Sequence, residues 1–188
     1  MGEEARLFVA VSPPEDVARE LERLVASLRP LAGRARLRWC RREQLHVTLR
    51  FIGEVPLADV PKIAGAVASV TVEPFDVALD RAGAFPSMAR PRVLWLSGER
   101  GAEELSSLAA RVDEALLRVG IPPRDRPFVP HLTLARCDGG LLPPTLLRAL
   151  LRALEEIPPL AWRCEGCALV RSSLGPGGPR YERLWPGI

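Results

Sequence analysis

His46-Val47-Thr48-Leu49-Arg50-Phe51-Ile52-Gly53 reads as a β-strand, rich in β-branched and aromatic residues and closed by Gly53 and the nearby Pro56. In a strand, residues i and i+2 point to one side and i+1 and i+3 to the other. His46 and Thr48 therefore share one face, and Val47 and Leu49 anchor the opposite one. A second copy of the pattern stands at His131-Leu132-Thr133-Leu134. The chain holds two histidines and only four threonines in 188 residues, so chance puts Thr two positions after both histidines about once in two thousand trials. A lone strand histidine is ordinarily a half-buried, hydrogen-bonded residue; the duplication argues for a shared task.

Two such strands facing each other would gather two imidazoles and two hydroxyls around a small anion. Histidine can donate or take a proton near neutral pH, and threonine can donate a hydrogen bond. Hydrolysis of a cyclic phosphate needs a base for the attacking water, an acid for the departing ribose oxygen and donors for the non-bridging oxygens. Neither motif contains a third histidine or an acidic residue, so the set is poor as a metal site. The reading calls for no cofactor. Arg50 and Arg136 follow the histidines at offsets of four and five. Strand parity keeps Arg50 on the histidine face and turns Arg136 away, unless the second strand twists, ends or bulges.

Around these strands, Arg6 to Val11 reads as a buried strand ended by Ser12-Pro13-Pro14, and Val17, Leu21, Leu24, Val25 and Leu28 recur at helical spacing. Leu37–Cys40, Phe75–Leu79, Val93–Ser97, Trp162–Ser172 and Tyr181–Leu184 read as strands. Helices are expected over about 58–70, 105–119 and 145–154, and the stretch with Gly83, Pro86, Arg90 and Pro91 as an irregular loop able to line a site. Helices and strands do not alternate strictly, which points to an α+β architecture with largely antiparallel sheets. No linker interrupts the chain, so residues 1–188 read as one unit.

Composition narrows the setting. A net charge of +3 with 26 Lys and Arg permits a local anion-binding patch but lacks the dense basic runs of proteins that coat duplex nucleic acid. The Met1-Gly2-Glu3-Glu4 start has no signal-peptide pattern, and Arg6 spoils a myristoylation motif. The most apolar stretch, 141–157, is broken by prolines and arginines, so no membrane span is expected. A cytoplasmic protein follows as the expectation, with Cys40, Cys137, Cys164 and Cys167 as free thiols. Cys164-Glu-Gly-Cys167 is a lone C-x-x-C that reads as structural.

With these residues in view, the chain resembles the 2H phosphoesterases, specifically the bacterial and archaeal RNA 2′,3′-cyclic phosphodiesterases formerly called 2′-5′ RNA ligases. The resemblance runs from Arg6-Leu-Phe-Val-Ala-Val through His46-Val-Thr-Leu-Arg-Phe-Ile-Gly53, Phe85-Pro-Ser, Pro91-Arg-Val-Leu-Trp95 and Arg126 to Arg136, and on to Ser173-Leu-Gly-Pro and Gly178-Pro-Arg-Tyr181. It implies a two-lobed, pseudo-symmetric α+β fold whose lobes each lend one motif strand to a central cleft. It also implies that His46 is the proton donor, His131 the proton acceptor, and that Thr48, Thr133 and Arg136 bind phosphate. The expected partner is RNA ending in a 2′,3′-cyclic phosphate, or a nucleoside cyclic phosphate, with no obligate protein partner. Tyr181 and Phe128 are candidates for stacking on a base, with packing as their plainer role. The motifs alone leave open other small phosphodiesters such as ADP-ribose 1″,2″-cyclic phosphate, a noncatalytic RNA-end binder, and whether a 2′- or a 3′-phosphate is released.

Overall fold

The computed structural model describes residues 3–33, 35–138, 141–176 and 178–185; Met1 and Gly2, and with them the reading of the extreme N-terminus, lie outside the described residues. The strands are β1 (Glu4–Val11), β2 (Leu37–Trp39), β3 (Val47–Pro56), β4 (Phe75–Leu79), β5 (Arg81–Phe85), β6 (Val93–Ser97), β7 (Leu132–Cys137), β8 (Leu160–Cys164), β9 (Ala168–Gly175) and β10 (Gly178–Trp185). The helices are α1 (Glu15–Ala32), α2 (Val60–Ala68), α3 (Ala102–Arg118) and α4 (Pro144–Glu155).

One sheet runs in the order β10-β9-β1-β3-β7-β6-β5, with β2 also against β7, and β4 and β8 form a separate pair. The paired strands are antiparallel, as the α+β reading expects. The halves β10-β9-β1-β3 and β7-β6-β5 meet where Val47 faces Leu132. Beyond that point β2 takes over the edge of β7, with Arg38 opposite Arg136.

One face of this sheet is sealed by helices. Leu7, Val9, Val47, Leu49, Leu132 and Leu134 join Leu21 and Leu28 of α1, Leu108 and Val112 of α3 and Leu150 of α4 in a single core. The other face holds a small cluster drawn from strands alone: Phe8, Ala10, Ala168 and Val170, with Tyr181 packed on it. The strict alternation of β1, with Leu7 and Val9 on one side and Phe8 and Ala10 on the other, builds both layers.

Two expectations are corrected. Arg81–Phe85 is a strand paired with β6 rather than part of a loop. Its small residues hide the signal, and Gly83 has a specific reason to be glycine: an added Cβ would collide with the Trp95 indole lying over it. The run Trp162–Ser172 is two strands in two sheets, with Cys164-Glu165-Gly166-Cys167 carrying the chain between them. The four cysteines are free, and burial raises each thiol pKa, that of Cys167 to about 11.

Candidate active site

Val47 and Leu132 are 1% and 0% exposed, pinned into the core on the helix side. Both histidines immediately precede these bridge residues and both motif threonines immediately follow them. In an antiparallel pair, residue i−1 of one strand faces j+1 of the other. Continuing the register by one residue therefore sets His46 across from Thr133 and Thr48 across from His131. The sequence predicts these four residues as a site, and the fold brings them together on the face away from the helices.

Each imidazole is held by its own backbone and by aromatic rings. His131 Nδ1 lies 2.7 Å from the Val129 carbonyl oxygen. A carbonyl only accepts, so Nδ1 carries hydrogen and the neutral ring keeps its lone pair on Nε2. His46 has a backbone hydrogen bond to Gln44, and its Nε2 lies 2.9 Å from Thr48 Oγ1. Phe8 stacks on His46 with centroids 4.9 Å apart, and Tyr181 meets it edge-on at 5.4 Å. Phe85 meets His131 edge-on at 4.8 Å, with Trp95 behind at 6.5 Å. Of these rings, Tyr181 alone is singled out by the sequence as a candidate stacking ring. Phe128 instead lies under the Arg124 guanidinium at 5.5 Å.

The arginines reverse the parity argument. Ala10 and Val9 face Thr48 and Arg50, so Leu49 is an extra residue in β3. Trp95 and Leu94 face Thr133 and Ala135, so Leu134 is an extra residue in β7. Such a bulge shifts the side chains that follow it to the other face; in β3 a second irregularity, at Ile52, shifts them again. Arg50 is thereby corrected from the histidine face to the helix side, where it is 7% exposed. There it bonds the Pro122 carbonyl and pairs with Asp113 of α3 at 3.5 Å. Arg136 is delivered to the histidine face, level with Arg38 and Val93.

The chain that carries this site has relatives. Residues 11–95 and 98–181 match the family model described as LigT like Phosphoesterase, one histidine motif falling in each segment. The chain belongs to the LigT-like phosphoesterase family. A Thermus thermophilus RNA 2′,3′-cyclic phosphodiesterase is 38% identical over 95% of this chain and 87% of its own length. One from Methanothermobacter thermautotrophicus is 31% identical over 95% and 96%. Among solved structures, one from Thermus thermophilus superposes with a TM-score of 0.75 at 34% identity, covering 95% of this chain and 94% of that one. E. coli LigT complexed with 3′-AMP gives 0.74 at 28% identity, covering 97% and 96%.

Electrostatics in this LigT-like site follow from burial beside a cation. Burial lowers the pKa of His46 to about 4, and Arg136 and His131 push it the same way against the Gln44 bond. Burial and Arg136 likewise lower His131 against its Val129 bond. In the free protein near neutral pH both rings are thus neutral, beside a fixed guanidinium suited to an anion. A phosphate anion arriving between them would offset the Arg136 charge and raise both pKa values. Among the described residues, no group of three His, Cys, Asp or Glu side chains is placed to hold a metal ion, and no helix is long and apolar enough to cross a membrane.

Proposed function

We propose that this protein is an RNA 2′,3′-cyclic phosphodiesterase acting through His46 and His131 without a metal. The observation that carries the reading is the Val47–Leu132 bridge, whose continued register puts His46 across from Thr133 and Thr48 across from His131. The Nδ1 proton of His131 is committed to Val129, leaving Nε2 as the group that takes a proton from water. The water oxygen attacks phosphorus, the bond from phosphorus to one ribose oxygen breaks, and His46 gives that oxygen its proton. Thr48, Thr133 and Arg136 hold the non-bridging oxygens as charge builds on them. His46 can serve as acid because the bound anion restores the proton that burial and Arg136 disfavour.

The names of the relatives support the RNA-end substrate. We place the activity in the cytoplasm, with residues 1–188 acting as one unit. The test compares turnover of an RNA oligonucleotide ending in 2′,3′-cyclic phosphate, a nucleoside 2′,3′-cyclic phosphate and ADP-ribose 1″,2″-cyclic phosphate, each with and without EDTA. Ring opening of the RNA end that survives chelation is expected. Preference for the ADP-ribose compound would redirect the substrate assignment. Loss of turnover in EDTA, restored by one divalent ion, would make the imidazoles metal ligands. Binding of cyclic-ended RNA without turnover would make the protein an end binder.

A further inference from the structure

Phe51 and Arg136 occupy equivalent places in the two motif strands. Each stands four residues beyond its bridge residue, Val47 or Leu132, and each is turned to the histidine face by the bulge at Leu49 or Leu134. Because the strands are antiparallel, the two side chains mark opposite ends of the cleft. One end carries a guanidinium and the other a phenyl ring that is 63% exposed. The ring continues an aromatic track: Phe51 lies 6.1 Å from Phe8, which stacks on His46.

The register extends this end into a surface. Phe51 faces Phe8, Phe8 faces Val170, and Val170 faces Arg183. The next row runs Glu54, Arg6, Ser172 and Tyr181. An exposed ring with Arg6 one rung along β1 and Arg183 in its own row combines a stacking face with backbone-seeking cations, as grooves for single-stranded nucleic acid do. Glu54 beside Arg6 limits how many phosphates this surface can attract. Phe8 and Tyr181 already enclose His46, so Phe51 is one ring removed from the reacting ribose.

We infer that Phe51 is the stacking platform for the nucleobase on the 5′ side of the reacting nucleotide, and that the RNA strand leaves the cleft across β3 and β1 toward Arg6. The inference rests on the proposed activity at RNA ends. It assigns a strand direction: the cyclic phosphate faces Arg136, and the preceding nucleotide lies at the Phe51 end. Stacking on a phenyl face is tolerant of base identity, so the subsite should distinguish an RNA chain from a mononucleotide without reading its sequence.

The test measures kcat/KM for a nucleoside 2′,3′-cyclic phosphate and for a dinucleotide ending in 2′,3′-cyclic phosphate. The wild-type protein should prefer the dinucleotide. Phe51→Ala should reduce that preference roughly tenfold or more, Phe51→Trp should retain it, and Arg6→Gln should weaken it, more so at low salt. A preference unchanged by Phe51→Ala overturns the inference. So does an equal loss on both substrates, which would make Phe51 a support for His46 through Phe8. Turnover of neither substrate by the wild-type protein would instead overturn the proposed activity, and this inference with it.

Discussion

Leu49 and Leu134 hold the same place in their strands: each is the extra residue of a bulge directly after the motif threonine. Both are buried in the main core, 1% and 0% exposed. The device makes each strand change sides just past the site. Histidine and threonine face the cleft before the bulge, two consecutive residues enter the core at it, and the following side chain returns to the cleft. Sequence chooses what returns, and the choice is Phe51 in one half and Arg136 in the other. A nearly two-fold arrangement acquires distinct ends in this way.

Arg136 should matter in proportion to its charge. A hydrogen bond from a charged group is worth about 1.5–3 kcal/mol, so Arg136→Ala should lower kcat/KM for a cyclic phosphate about ten- to a hundredfold while the protein stays folded. Arg136→Lys should recover only part, since it keeps the charge and loses the forked donor. Steady-state kinetics of the two variants checks this, and near wild-type kinetics for the alanine variant would remove Arg136 from phosphate binding.

With two histidines in the chain, their titrations can be followed singly by NMR. Both should titrate below the ordinary histidine value, His46 near pH 4. Arg136→Ala should raise both, because the neighbouring cation is gone, and inorganic phosphate should do the same. Native His46 refuses a proton that the unfolded chain accepts below about pH 6.5. Its contribution to stability is therefore complete above that pH and falls as pH drops toward about 4. A His46 that titrates at or above the ordinary value in the free protein would contradict this account of burial.

Asp113 joins two cations across elements: Arg50 at 3.5 Å and Arg124 at 2.5 Å. Arg50 also bonds the Pro122 carbonyl, tying β3 to the segment that leads to His131. Removing one partner of a buried pair strands the other, at a cost of about 3–5 kcal/mol, whereas replacing both costs far less. Asp113 is one-quarter exposed, which favours the lower end. Asp113→Ala should thus lower the melting temperature by roughly 6–12 °C for a chain of this size. Arg50→Met combined with Asp113→Ala should be less damaging than additivity requires, as thermal unfolding of the three variants would show. Strict additivity would mean that the two side chains do not interact.

What the sequence disclosed followed chemical need. His46, His131, Thr48 and Thr133 were legible because the pattern occurs twice and local strand periodicity gives their common face. Parity alone places Arg50 on the wrong face and reaches Arg136 only on condition of a bulge, because a bulge is set by the partner strand, which local periodicity does not contain. Phe8, Phe85 and Trp95 come to the histidines from other strands, so only the pairing of β1, β5 and β6 reveals them. Arg81–Phe85 escaped for a similar reason. Its glycine answers to an indole twelve residues away in the chain, and the strand's own propensity is weak.

The two imidazoles should be individually necessary and chemically distinct. General acid or base assistance contributes about 10² to 10⁴-fold, so His46→Ala and His131→Ala should each lower kcat on a 2′,3′-cyclic phosphate by an amount in that range with the fold intact by circular dichroism. Since both act on one transition state, the double variant should lose less than the product of the single losses. The pH profile of kcat should be bell-shaped, because the base must be neutral and the acid charged. His131→Ala should then remove the acidic limb and His46→Ala the basic one. The roles can be separated further with bis(p-nitrophenyl) phosphate, whose leaving group departs without a proton. On that substrate His46→Ala should recover much of its deficit and His131→Ala should not. Recovery by His131→Ala instead would exchange the two roles, and near wild-type turnover of the cyclic phosphate by either folded single variant would end the two-histidine mechanism for this protein.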